Sequence, residues 1–354
     1  MPPSTATPKE KTSLKRLPTA LLLGLLGSLS PLSGHAGQAA AGFSGEPAVK
    51  AFIVSMHEQY GFDIAHLTRQ FAAIQPNATV LRAIRPPAVP AKQRSWQRYR
   101  QRFVNPRRVE GGQRFWNEHG AILQRAEAIY GVPPEIIVAI IGVETEYGQN
   151  MGSFGVLEAL ASLAFHYPPR ADFFRGELEQ FLLMARENGV SPLEIKGSYA
   201  GAIGIPQFMP SSQRRYAVDF DGDDRIDLRR STTDAIGSVG RFLQQHGWQK
   251  GAPVAVPARL NGDPAALLAE GIKPALTVRQ LEARGVVVAA DDDADRPAAL
   301  IDLVTPDEAT EYWLGFDNFY VITRYNRSSF YAMSVFQLAE ALREVRDNRL
   351  SARP

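Results

Sequence analysis

The chain has 354 residues, 45% of them hydrophobic, enough to bury a large core in one elaborated domain or two. Charged residues make up 21% and the formal net charge is +2, which argues against global disorder and gives no strong electrostatic bias. There is no cysteine, which excludes disulfides, thiolate metal sites and cysteine nucleophiles together.

Lys9, Lys11, Lys15 and Arg16 precede an apolar run from Ala20 to Gly27, and a small-residue exit follows, with cleavage expected after Ala36. That is the layout of a secretory signal peptide over residues 1–36. The alternative, an uncleaved anchor, is disfavoured because the run falls well short of the ~20 residues that span a bilayer. With no cysteine after it, a lipid anchor is excluded. Removing the segment takes four of the 39 basic and one of the 37 acidic residues, leaving 35 against 36, a net charge of −1.

Residues 37–46 read as a Gly/Ala-rich linker, and 47–114 as an N-terminal helical region. Val49 to Ile74 has apolar residues at helical intervals with a break at Gly61. Pro86 to Pro90 interrupts it. From Lys92 to Val109, arginines interleave with Trp96, Tyr99 and Phe103. In an exported, nearly neutral protein this is not a nucleic-acid surface. It reads as a solvated helix face, or as one wall of a groove for an extended ligand.

Residues 115–250 read as a helical core. A helix is expected over Phe115–Tyr130, ending at Gly131, and Pro133 and Pro134 open the next one, Glu135–Gly148. That second helix is apolar nearly all round, which implies burial on most sides. Further helices are expected over Val156–Phe165, Asp172–Asn188 and Thr233–His246. Residues 251–320 change texture: Ala252–Ala258 and Gly285–Ala290 read as short strands, with the acids Asp291 to Asp293 in the loop after the second. Residues 321–347 return to the core, helical from Tyr331 to Arg346, and 348–354 form a tail. The fold class is mainly α (α+β), a helical body with a small strand-containing insertion.

No G-x-S-x-G elbow, H-E-x-x-H pair, Walker loop or dinucleotide fingerprint occurs, and the six histidines are scattered. Any chemistry must rest on carboxylates and hydroxyls. Glu144 and Glu146 enter the otherwise apolar helix at its end, and helical periodicity alone does not say which would be catalytic. A buried glutamate without a cationic partner stays protonated near neutrality, as a general acid must. The competing reading is a glutamate salt-bridged at a helix end. A second stretch, Lys196 to Ser212, carries Gly197, Gly201 and Gly204, where backbone can come close to a ligand, or simply turn tightly over a packed Phe208 and Met209.

Five blocks closely resemble the lytic murein transglycosylase B family: "YGVPPEIIVAIIGVETEYG", "FHYPPRADFFRGELEQFLLMARE", "KGSYAGAIGIPQFMPSSQRRYAVDFDGD", "DAIGSVGRFLQQHGW" and "FYVITRYNRSSFYAMSV". They occur in family order and cover roughly Phe52 to Arg346. The resemblance implies a lysozyme-like helical catalytic core and a periplasmic enzyme that cuts the β-1,4 bond between N-acetylmuramic acid and N-acetylglucosamine without water. Glu144 matches the family's single catalytic acid/base, and Glu146 falls where the family does no chemistry. On this resemblance Glu144 protonates the bridging oxygen and then deprotonates the C6 hydroxyl, which closes a 1,6-anhydro ring. The substrate's acetamido group stands in for a second carboxylate.

The same resemblance assigns Ser198 and Gln207 to polar positions lining the cleft, and Phe208 and Met209 to its apolar wall. It assigns Tyr99, Tyr325, Asn326 and Tyr331 to the groove that orients the glycan, and Arg170 to a basic cleft position. Pro169 stands where relatives carry a second arginine, and Phe242 where tyrosine is common. The partners implied are peptidoglycan glycan strands, with cell-wall synthesis or envelope-machine proteins beyond them, and no nucleic acid. A hydrolytic muramidase and a non-catalytic peptidoglycan-binding scaffold are the alternatives.

Asp219, Asp221 and Asp223 occupy positions one, three and five of an EF-hand-like loop. The sixth position is Asp224 rather than glycine, and the twelfth is Arg230 rather than an acid. Relatives add the backbone carbonyl at the position of Arg225, and Asp234 is the candidate for the missing acid. Oxygen ligands favour calcium in a structural role, and catalysis itself needs no cofactor. The competing reading is an acidic turn satisfied by water and its own arginines.

Overall fold

Short polar side chains and prolines set where the helices of this chain begin. A computed structural model describes residues 42–86, 94–288 and 293–351; the expected signal peptide, residues 37–41 of the linker and the last three residues lie outside these. Helix α1 (Pro47–Tyr60) opens on a proline and stops at Gly61 in the left-handed region. Helices α2 (Ile64–Ala72), α3 (Ala78–Ala83), α4 (Trp96–Phe103) and α5 (Pro106–Glu118) start at Asp63, Asn77, Ser95 and Asn105. Each of these caps accepts a first-turn backbone N–H.

The single helix expected over Phe115–Tyr130 is instead the end of α5 and a separate α6 (Gly120–Tyr130). The chain bends at His119, whose ring packs 4.6 Å from Phe115, and Gly120 resumes the helix. Next, α7 (Pro134–Thr145) stops three residues short of the expected end. Glu146 therefore lies beyond the helix, as its left-handed cap, and helical periodicity does not apply to it.

Strand β1 (Phe154–Gly155), α8 (Val156–His166), α9 (Ala171–Glu187) and β2 (Lys196–Gly197) follow, with β1 and β2 antiparallel. Then come α10 (Pro210–Tyr216) and α11 (Thr232–Gln245). The last third comprises β3 (Ala255–Leu260), α12 (Ala265–Leu268), β4 (Leu276–Thr277), α13 (Val278–Glu282), β5 (Val286–Val288), β6 (Pro297–Leu303), β7 (Glu311–Gly315), α14 (Asp317–Tyr325) and α15 (Ser329–Ser351). Strands β3 to β7 form one antiparallel sheet in the order β4-β6-β7-β3-β5.

Three apolar cores organise these elements. The first surrounds α7 with side chains of α4, α5, α6, α11, α14 and α15. The second joins α1–α3 to α8 and α9, and the third lies under the sheet. Strand β6 serves two of them: Ala299, Ile301 and Leu303 enter the first core, and Ala298 and Leu300 the third. The loop after β2 straddles the other seam, with Ile203 in the second core and Ile205 and Phe208 in the first. That loop and the end of α7 meet where the helical cores meet.

Candidate active site

Ten of the twelve residues of α7 are buried, so the helix runs through the centre of the first core. Glu144 sits in its last turn and is only half-buried, so the carboxyl breaks out of an apolar wall. Burial raises its pKa to about 7, while the Tyr331 hydroxyl, donating to Oε1 over 2.5 Å, pulls it down. The negative end of the helix dipole also disfavours the ionised form there. Burial and the Tyr331 hydroxyl account for that shift, and no acidic group among the described residues contributes to it.

Three tyrosines from separate elements converge on it. Tyr331, on the first turn of α15, is 2% exposed and reaches Glu144 with its hydroxyl. Tyr325, at the end of α14, stacks nearly parallel to Tyr331, with ring centroids 6.4 Å apart, and its hydroxyl donates to Pro206 O over 2.5 Å. Tyr99 of α4 packs against Phe103 and Phe330. Burial raises the proton affinity of all three, and the nearby Glu144 charge adds to each.

The loop after β2 closes the other side. Gly152 and Gly197 let it approach the chain leaving α7: a Cβ on Gly152 would lie 2.2 Å from Gly197 O. Ser198 Oγ accepts from Ala202 N at 3.0 Å, within its own loop. Gln207, at φ 52°, donates from Nε2 to Met151 O and Gly204 O at 3.1 and 2.9 Å, tying the two segments together. Thr145 does the same from α7. Its buried hydroxyl donates to Ile205 O at 2.8 Å and accepts from Gly148 N at 2.9 Å.

Of the other expected site residues, one is buried away from the cleft and the rest have partners of their own or lie exposed. Phe208 is 2% exposed, packed against Phe242 and Tyr325, so it supports the tyrosine rather than lining the cleft. Phe242, where a tyrosine was anticipated, sits edge-on to Tyr325 at 4.8 Å, an apolar buttress. Met209 packs against the second core. Arg170 lays its guanidinium over Phe173 and Phe174, at 4.3 and 5.0 Å. Asn326 is exposed, one residue beyond α14.

The turn after α7 was invisible from sequence spacing. Glu146 and Tyr147 take positive φ, 53° and 63°, at a cost of roughly 1–3 kcal/mol each. Glu146 is held by Arg107 at 2.6 Å and by the Asn150 amide at 3.0 Å. It is the salt-bridged helix-end glutamate, whereas Glu144 makes no ion pair among the described residues. The Tyr147 ring fills a slot walled by Gly111, Gly112 and Gly142, and its hydroxyl donates to Arg108 O at 2.7 Å. The Gly111–Gly112 pair inside a helix was the available signal.

Carboxylate oxygens of Asp219, Asp221 and Asp223 lie within 4.8 Å of one another, able to hold a cation. Asp234, expected to complete the set, is not in that group. It is 1% exposed, and its two oxygens accept from the backbone N–H of Phe220 and Asp227 at 2.8 and 2.9 Å. Its work is to shape the loop from within.

Residues 44–340 match the family described as Transglycosylase SLT domain. The chain is 45% identical over 311 residues to membrane-bound lytic murein transglycosylase B of Escherichia coli K12, covering 85% of this chain and 84% of that protein. Among solved structures, the soluble lytic transglycosylase SltB1 of Pseudomonas aeruginosa is 47% identical, with a TM-score of 0.80 over 85% of this chain and all of that one. The Escherichia coli lytic transglycosylase Slt35, solved in complex with calcium, is 43% identical, with a TM-score of 0.76 over 86% and 95% of the two chains.

Proposed function

The chain belongs to the transglycosylase SLT-domain family and is a peptidoglycan lytic transglycosylase; from that premise we propose that Glu144 alone serves as its acid and its base. The observation that carries this reading is a half-buried carboxyl held to about 7 by burial, with one tyrosine donor and no acidic group among the described residues acting on it. Near neutrality such a group is available in both protonation states.

Protonated Glu144 gives its proton to the oxygen bridging N-acetylmuramic acid to N-acetylglucosamine, and the bond from that oxygen to the muramic-acid C1 breaks. Positive charge at C1 is met by the substrate's own acetamido oxygen, which removes the need for a second carboxylate. Ionised Glu144, stabilised by the Tyr331 hydroxyl, takes the proton of the C6 hydroxyl, whose oxygen bonds to C1. Atoms balance without water, and the product ends in a 1,6-anhydro ring. Having both reacting atoms in one sugar favours this closure over hydrolysis. Tyr99 offers its hydroxyl to the glycan strand beside it, while Tyr325, its hydroxyl engaged with Pro206 O, backs the Tyr331 ring and holds that donor in place.

Calcium at Asp219, Asp221 and Asp223 is a structural ligand in this reading, supported by their gathering and by the calcium complex of Slt35. Export to the periplasm by residues 1–36 agrees with a cell-wall substrate.

Digestion of purified sacculi with wild type and Glu144→Gln, followed by mass spectrometry of the muropeptides, tests the assignment. Products lighter by one water than hydrated muropeptides, absent with the variant, are expected. Hydrated reducing ends would make it a muramidase, and no release by either protein would make it a binding scaffold.

A further inference from the structure

We propose that Tyr147 is a positioning residue for this reaction: wedged between α5 and α7, its ring fixes the last turn of α7 and so the approach of Glu144 to Tyr331. The proposal rests on the reading that Glu144 is the acid/base.

Tyr147 follows Glu144 by three residues. Its backbone N–H closes the end of α7 onto Ile141 O at 3.3 Å, beside the bond from Glu146 N–H to Gly142 O at 3.1 Å. Both residues hold left-handed backbone without being glycine, and Gln207, which faces the same seam, does so too. Non-glycine residues in this region persist only where their surroundings over-determine them, and here the surroundings can be named.

One wall of the slot is α7 itself. A Cβ on Gly142, two residues before Glu144, would come 2.6 Å from the Tyr147 hydroxyl oxygen and 2.7 Å from Cζ. The opposite wall is α5, where a Cβ on Gly112 would lie 2.6 Å from the same oxygen and one on Gly111 2.8 Å from Cε2. Glycine is among the poorest residues for a helix interior, so three of them around one ring mark a demand for space. The Tyr147 hydroxyl is anchored on Arg108 O, the Arg108 guanidinium donates to Gly142 O, and Phe115 backs the ring at 5.6 Å. The ring thus touches the catalytic helix and the helix that braces it. Removing it frees the end of α7 without deleting any group that meets the glycan.

The test uses the full chain acting on peptidoglycan glycan strands, with Tyr147→Gly, which tolerates the backbone angle, and Gly142→Ala, which crowds the ring out. For folded variants, we expect kcat to fall about 100-fold, the scale of a 1 Å misplacement, with KM within about twofold. The alkaline limb of the kcat profile should move to lower pH, because a loosened helix end exposes Glu144. The double variant should be no worse than the poorer single, and Tyr147→Phe, which keeps the ring, should restore most of the rate. Gly111→Ala crowds the same ring from α5 and carries the same expectation should either α7 variant fail to fold. A folded Tyr147→Gly protein with wild-type kcat and pH limb would overturn the proposal. So would activity that falls only with the folded fraction while the limb stays put. Activity surviving in Glu144→Gln would instead overturn the reading beneath it.

Discussion

The Tyr331 hydroxyl donates to Glu144 Oε1 over 2.5 Å, and this bond opposes the burial that raises the carboxyl to about 7. It favours the ionised carboxylate, the form that must accept the C6 proton. Tyr331→Phe fills the same buried volume and removes only the donor. The Glu144 pKa should then rise, moving the alkaline limb of the rate profile to higher pH, while the maximal rate falls about tenfold as the base is destabilised. An unmoved limb in the folded variant would mean that the hydroxyl does not set the proton affinity.

Burial of Glu144 also makes stability depend on pH. A carboxyl raised from 4.5 to about 7 binds its proton more tightly folded than unfolded. Its contribution is whole below about pH 4.5 and is lost as pH rises to 7. Above that, keeping the ionised group costs about 3 kcal/mol. Glu144→Gln should therefore raise Tm by several degrees at pH 8 and leave it nearly unchanged at pH 4. An equal effect at both values would show that ionisation is not the source.

These relationships were unequally legible in the sequence. Caps, prolines and apolar periodicity located α1, α2, α8, α9, α11 and α15 within a few residues, because the signal for each is local. Strand β6 escaped because both its faces are buried, so the alternation that marks a strand is missing. Glu144 could be separated from Glu146 only by the resemblance, since what distinguishes them is a left-handed turn and the contacts of Arg107 and Tyr331, all set by tertiary structure. The places of Phe208 and Met209 were hidden for the same reason: adjacent in sequence, Phe208 is buried in the first core while the partly buried Met209 packs against the second.

For the acidic loop, calcium and Asp234 should act separately. Calcium bound by Asp219, Asp221 and Asp223 stabilises by mass action, about 2.7 kcal/mol at a hundred times Kd. Titrating calcium should raise Tm saturably, a chelator should reverse this, and Asp221→Ala should abolish the response. Asp234→Ala should lower Tm with or without calcium, because it strands the N–H groups of Phe220 and Asp227. No shift of Tm in millimolar calcium would leave the loop as a water-satisfied turn.

The tie through Thr145 offers the sharpest stability test, because the side chain can be changed one atom at a time. Its hydroxyl donates to Ile205 O and accepts from Gly148 N, and the residue is fully buried. Thr145→Val keeps the volume but strands a donor and an acceptor, each costing about 1–3 kcal/mol. Thr145→Ser keeps both bonds and gives up one methyl, about 1 kcal/mol. Urea unfolding should therefore rank wild type above the serine variant and the serine variant above valine. The reverse order would mean that methyl packing, rather than the hydroxyl, joins α7 to the loop. Activity should follow the same order even where all three are fully folded, since Ile205 adjoins the Pro206 carbonyl that holds Tyr325 and the Gln207 that bridges to Met151.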